Sequence, residues 1–183
     1  MQVRIGWIFT LAVVVGLASV AIGWAYNGGQ GPGSGGWEFF SSPTGGPVGL
    51  MWGGYKNEMR LEREAAAAKH NYCPTGGCVV RLEKLAIFPK RVQRGRTAYI
   101  DLAYTILTAS DIGIPVTISR EIFFQGKSLG KTFSKNLRTP NGSFSQEVSF
   151  VMPDNSAPGV YSLKTQVITG YGQDEKTIDF TVE

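Results

Sequence analysis

The chain has 183 residues, of which 43% are hydrophobic and 17% charged, and a formal net charge of +4. That length holds one domain with flanking segments. The mild charge excess is no nucleic-acid footprint, which takes a concentrated basic face. The densest basic stretch, Arg81, Lys84, Lys90, Arg91, Arg94 and Arg96, reads as solvated strand and loop ends.

Arg4 is the last charge before Glu38. Between them Ile5–Tyr26 is apolar or small apart from Thr10, Ser19 and the terminal tyrosine. A helix of about 20 such residues crosses a hydrocarbon core of roughly 30 Å. Trp7 and Trp24 would stand about 26 Å apart at helical rise, a spacing that suits the two headgroup interfaces where indoles concentrate. Residues 1–26 are therefore expected to form a single-pass transmembrane anchor with membrane lipid as a partner. Arg4, Trp7, Trp24 and Tyr26 would mark its interfaces. Arg4 directs the short N-terminal side to the cytoplasm and leaves the bulk of the chain periplasmic or extracellular. Ala12, Gly16, Ser19 and Gly23 share one helical stripe, either a helix-packing face or ordinary membrane-helix composition. The alternative is a cleaved signal peptide, with Ser19-Val20-Ala21 or Gly23-Trp24-Ala25 as the small-residue site. Against it, the run is longer than the roughly 7–15 apolar residues of a signal h-region. Both readings export the remainder.

Residues 27–54 open as a Gly/Ser-type linker and then become apolar. Glycines there disfavour regular structure, and an apolar segment of this kind docks on a partner, lies in the membrane interface or packs on its own domain. The expectation is a docking element made of Trp37, Phe39, Phe40, Leu50, Met51 and Trp52, with another protein subunit as its partner. In residues 55–78, the stretch YKNEMRLEREAAAAKH (55–70) is rich in helix formers, with Asn57 placed to cap it. It predicts a short connector helix with a thin apolar face of Met59, Leu61, Ala65, Ala66 and Ala68. The loop CPTGGC follows, holding the two cysteines, Cys73 and Cys78. In an oxidising compartment such a close pair forms a disulfide, and Pro74, Gly76 and Gly77 favour the turn it needs. With His70, the single histidine, they would offer three ligands where a closed zinc site takes four. No metal or other cofactor is expected.

From Val79 to Glu183 the apolar period becomes two. Ala98, Ile100, Leu102, Tyr104 and Ile106 alternate with Tyr99, Asp101, Ala103 and Thr105. Val116, Ile118, Ile122 and Phe124 follow, interrupted by Arg120. Further runs are Phe144, Val148 and Phe150, then Tyr161, Leu163 and Val167, then Ile178, Phe180 and Val182. Alternation of this kind means half-buried strands. Turn residues separate the runs at Pro89, Gly95, Asp111–Gly113, Gly126, Gly130, Pro140–Gly142, Pro153–Gly159 and Gly170–Asp174. The fold expected is mainly β: a seven-stranded antiparallel sandwich behind one transmembrane helix and a short connector helix.

Three motifs carry a resemblance. Pro89 and Gly95 in FPKRVQRG precede a long alternating strand, Pro158-Gly159-Val160-Tyr161-Ser162-Leu163 leads into another, and Asp179-Phe180-Thr181-Val182 ends the chain. Together the stretch Leu82–Glu183 resembles the immunoglobulin-like sandwich modules of bacterial surface and periplasmic proteins. The resemblance implies fold and little of function, because this architecture hosts unrelated roles. Unlike antibody domains, the stretch has no cysteine pair between sheets and no tryptophan.

A Ser-His-Asp triad could draw only on His70, which lies before the sandwich. The glycines at 31, 33, 35 and 36 follow an apolar helix rather than the strand a phosphate loop requires. No small-molecule substrate is identified and no nucleic acid is expected. The function that emerges is that of a non-enzymatic, membrane-anchored interaction protein outside the cytoplasm, an accessory or assembly subunit of a larger complex. The alternative is a filament subunit resembling archaeal pilins, with Arg4-Ile5-Gly6 similar to their processing site. The glutamate that bacterial type IV pilins carry early in the mature helix is missing here, where Leu11 would stand.

Overall fold

Alternating apolar side chains become a two-layer sandwich when each strand turns its apolar row inward. In the computed structural model, which describes residues 38–39 and 50–183, that is the arrangement. The elements are β1 (Glu38–Phe39), β2 (Met51–Glu62), α1 (Arg63–His70), a 3₁₀ turn (Pro74–Gly76), β3 (Val79–Phe88), β4 (Arg91–Val92), β5 (Thr97–Leu107), β6 (Ile114–Phe124), β7 (Lys127–Thr139), β8 (Gly142–Val151), β9 (Gly159–Thr169) and β10 (Gly172–Val182). One sheet runs β1-β2-β8-β5-β3 and the other β4-β10-β9-β6-β7. Pairing is antiparallel except for β4 beside β10. The chain thus leaves one sheet after β3 and joins the other at β4. The strands from β3 onward follow the order of immunoglobulin-type sandwiches, with β3-β5-β8 facing β10-β9-β6-β7.

More strands are present than the seven expected, and the largest addition is β2. The helix expected over residues 55–70 is confined to Arg63–His70; Met51–Glu62 is instead a strand hydrogen-bonded to β8. Tyr55, Asn57, Met59 and Leu61 alternate with Lys56, Glu58, Arg60 and Glu62, and a vacant edge beside β8 offers this segment a full ladder of backbone bonds. Tertiary pairing outweighs helix propensities of only a few tenths of a kcal/mol each. Asn57 caps no helix, and Glu62, at the N-cap position of α1, makes no side-chain cap. At its other end Asn71 takes the left-handed conformation, and the Asn71 and Tyr72 N–H groups donate to the Ala68 and Ala67 carbonyls. Strands of the sandwich therefore precede Val79, where the sequence pattern places its start.

Leu50 and Trp52 belong to its core and not to a docking element. Trp52 is 2% exposed, and its ring lies 5.7 Å from that of Phe150. Glycines flank these residues, but strand pairing with β8 supplies the regular structure that the local sequence lacks. The rings of Phe150, Phe180, Tyr161 and Phe124 continue the stack at 4.4–5.9 Å. Tyr161 is buried, and its hydroxyl donates to the Ala157 carbonyl at 2.7 Å. A tyrosine closing the turn before its own strand is a feature of immunoglobulin-type folds. The turn needs Gly159, whose φ is 147° and where a Cβ would meet the Phe124 ring at 3.1 Å.

The roles expected of Arg4, Trp7, Ala12, Gly16, Ser19, Gly23, Trp24, Tyr26, Trp37 and Phe40 lie outside the described residues. Among those described, no helix is long and apolar enough to cross a membrane.

Truncating a buried tryptophan costs about 3–5 kcal/mol, so Trp52→Ala should lower the stability of the sandwich by that amount in urea unfolding. An unchanged unfolding midpoint would return Trp52 to a surface role.

Candidate functional site

Along β6 the inward row is Ile114, Val116, Ile118, Arg120 and Ile122, all buried. Arg120 is the odd member, a guanidinium only 1% exposed. Its cross-strand neighbours are Thr132 on β7 and Thr165 on β9, both buried. Ser134 on β7 and Gln146 on β8 are buried at the same level. This polar layer separates two apolar clusters. One contains Trp52, Ile100, Ile122, Phe150, Tyr161 and Phe180; the other contains Leu102, Tyr104, Ile118, Phe144 and Val167.

The layer is wired from one sheet to the other. Arg120 Nη1 donates to Ser134 Oγ at 3.2 Å, and Ser134 Oγ donates to Gln146 Oε1 at 3.1 Å. Tyr104 donates its phenol to Asn57 Oδ1 at 3.1 Å, and Tyr55 donates to the Lys135 carbonyl at 3.3 Å. The wiring is incomplete. Arg120 Nε and Nη2 and Thr165 Oγ1 are buried without a protein partner. Burial pulls the Arg120 pKa down to about 10. Burial also lifts the Tyr104 phenol to about 12, opposed by its bond to Asn57. Beside the layer, between β2 and β7, lies a small cavity of about 20 Å³, walled by Tyr55, Asn57, Tyr104, Ser134 and Gln146 among others.

A second polar cluster surrounds Glu83. A bulge between Leu82 and Lys84 breaks the β3–β5 register, and bulges re-aim the side chains they carry. Glu83 meets the C-terminal end of α1, accepting bonds from Lys69 Nζ at 2.5 Å and from the Thr105 hydroxyl, and contacting His70 Nε2 at 3.0 Å. Lys176 donates to the Glu83 carbonyl at 2.6 Å, and Asp174 accepts from the Leu82 N–H at 2.7 Å. Burial raises the Glu83 pKa, but the bonds from Lys69, Thr105 and His70 and the Lys69 charge overrule it and hold the carboxyl at about 2. The cluster ties α1 and β10 to β3.

The expected disulfide is not formed. Cys73 and Cys78 are free and exposed. The 3₁₀ turn at Pro74–Gly76 brings Cys73 Sγ to 3.1 Å from Thr75 Oγ1, and Tyr72 O–H closes the loop by donating to the Gly77 carbonyl at 2.9 Å. Of the docking residues, Met51 is half-buried on β2 opposite Val151, and Phe39 lies on β1 with its backbone opposite Met51. Sequence reasoning missed Arg120 and Glu83 as centres. The interrupted alternation at Arg120 was the available signal.

No protein-family model matches the chain, and no curated protein matches it. Solved structures with a similar arrangement include the alkylpurine DNA glycosylase AlkC of Pseudomonas fluorescens bound to DNA, at 13% identity and TM-score 0.39 over 57% of this chain and 30% of that one. The CARDB domain of a Pyrococcus furiosus protein, in complex with di-metal ions, matches at 17% identity and TM-score 0.36 over 57% of this chain and 89% of that one. A Listeria innocua β-glucosidase matches at 15% identity and TM-score 0.39, over 57% of this chain and 16% of that one. The chain thus spans under a third of the glycosylase it matches.

Because the Glu83 pKa is lowered on folding from 4.5 to about 2, its stabilising share is fully present above the unfolded value and is lost as pH falls through the folded one. Urea midpoints of the wild type and Glu83→Gln should therefore differ most above about pH 5 and converge towards about pH 2. A difference independent of pH would refute this role of the carboxylate.

Proposed function

We propose that the chain is a non-enzymatic interaction subunit, anchored in the cytoplasmic membrane through residues 5–26, with a sandwich similar to the immunoglobulin-like modules of bacterial surface and periplasmic proteins. The observation that carries this reading is strand β7. It ends its sheet among the described residues and runs for 13 residues. A long open edge invites pairing with another chain. Phe133 is 49% exposed and Leu137 66% exposed, in a row with Lys131 and Lys135, and Lys131 Nζ lies 5.2 Å from the Phe133 ring centroid. The partner that suits this edge is an extended segment with apolar and acidic side chains, adding a strand to β7 and guided by the lysines. The Leu50 side chain rests against Gly130 of β7, and we propose that the segment holding Trp37, Phe39 and Phe40 adds to the docking surface.

Two measurements test the reading. Full-length protein should need detergent for extraction and resist alkaline carbonate, and its release by carbonate would remove the anchor. Phe133→Asp with Leu137→Asp should weaken retention of the partner complex about 30-fold or more, a loss of ~2 kcal/mol, at an unchanged melting temperature. Undiminished retention would rule out β7.

A further inference from the structure

The fold divides the basic stretch between residues 81 and 96. Arg81 and Lys84 lie along β3, and Lys84 pairs with Asp101 at 2.5 Å. Lys90, Arg91, Arg94 and Arg96 lie instead in the link from β3 through β4 to β5, where the chain passes between the sheets. All four are exposed. Backbone bonds fix the link. The Lys90 carbonyl accepts from Thr181 N–H at 3.0 Å, Arg94 N–H donates to the Glu183 carbonyl at 3.2 Å, and the Arg96 carbonyl accepts from Met152 N–H at 3.3 Å. The cations thus stand on a held corner of the sandwich.

Exposed rings flank that corner. Phe88, the last residue of β3, is 76% exposed, and Tyr99, its cross-strand partner on β5, is 43% exposed. Neither belongs to an apolar cluster of the core. Across this end of the sandwich the cations are Lys90, Arg91, Arg94, Arg96 and Lys127, and the carboxylates are Glu38, Asp154 and Glu183. Among the described residues, Arg91 alone of these cations is in an ion pair, with Glu183 at 3.3 Å.

Cations beside exposed rings suit a bilayer with anionic headgroups, which take the charges while the rings enter the boundary with the acyl chains. Position favours lipid over an acidic polypeptide. The described chain first meets the sandwich at this end, where β1 pairs with Met51 and Trp52. Glu38 follows Tyr26 by 12 residues, a reach of at most about 40 Å. With residues 5–26 in a bilayer, this end is held close to its surface.

We propose that the corner formed by Phe88, Tyr99, Lys90, Arg91, Arg94 and Arg96 docks on the surface of an anionic phospholipid bilayer. The proposal takes its orientation, but not its chemistry, from the anchor proposed above. Because β4 and β7 are opposite edges of one sheet, the docked corner leaves the β7 edge clear for a partner.

The experiment measures hydrogen exchange of full-length protein in phosphatidylcholine nanodiscs with and without phosphatidylglycerol. Exchange across residues 88–96 should slow only in the anionic discs, while the hairpin at 170–171, at the far end, exchanges equally in both. High salt should remove the slowing, because it screens exposed charges. Each basic side chain near an anionic surface favours docking about fivefold, so Lys90→Gln, Arg94→Gln and Arg96→Gln together should weaken it about 100-fold and abolish the slowing at an unchanged melting temperature. Exchange at 88–96 that is indifferent to lipid charge overturns the proposal and leaves the corner to an acidic polypeptide. Slowing that survives in the triple variant overturns it too. Failure of the protein to insert into either disc removes the anchor alone. The corner is then read by sedimentation of full-length protein with preformed vesicles: it should pellet with phosphatidylglycerol vesicles and not with phosphatidylcholine ones, and absence from both pellets overturns the proposal.

Discussion

The constraint on which the rest depends is the charge of Arg120 between two sheets. Burying a cation costs several kcal/mol even after relaxation. The surroundings are accordingly polar at that level on three neighbouring strands. Thr132 and Ser134 on β7, Thr165 on β9 and Gln146 on β8 occupy positions where the sandwich would otherwise place aliphatic side chains. The result is a core divided in two, each half closed by its own aromatic contacts: Trp52, Phe150, Phe180 and Tyr161 in one, and Tyr104 stacked on Phe144 at 5.3 Å in the other.

Strand β2 is what makes this arrangement tenable at the edge. It covers β8, seats Trp52 over Phe150 and brings Asn57 to the Tyr104 hydroxyl. Its outward row is charged, with Arg60 Nε donating across to Ser145 Oγ of β8 at 2.7 Å and Lys56 paired along the strand to Glu58 at 2.5 Å. Exposed pairs of this kind contribute little to stability. Their value is to keep the largely uncovered outer side of β2 soluble and in register.

How far the sequence could be read follows from which forces are local. The strands after Val79 were legible because each carries its own apolar alternation, and the turn before Tyr161 was legible because proline and glycine mark it. β2 is hidden because Glu58–Ala68 is strongly helix-favouring, whereas the partner that makes residues 51–62 a strand lies 80 to 100 residues away in β8. The alternation of Tyr55, Asn57, Met59 and Leu61 was visible but was outvoted by composition. Leu50 and Trp52 were read as partner anchors for the same reason: their glycine neighbours hide a strand that only β8 reveals. Arg120 was seen as an interruption, yet its partners come from three other strands and no spacing in the chain brings them together. Glu83 depended on a bulge that no residue type announces. The cysteine spacing permitted a bridge without requiring one, and the Pro74–Gly76 turn settles the sulfur of Cys73 against Thr75 instead.

The polar layer and β2 are also linked energetically. Asn57 belongs to β2, while Arg120, Ser134, Gln146 and Tyr104 belong to strands that pair without it. Removing β2 would take Asn57, the acceptor of the Tyr104 hydroxyl, from the edge of the layer. β2 is the element into which residues 27–49 run, and the Leu50 side chain that precedes it rests against β7. The start of β2 thus meets the β7 strand through Leu50, and its middle meets the polar layer through Asn57.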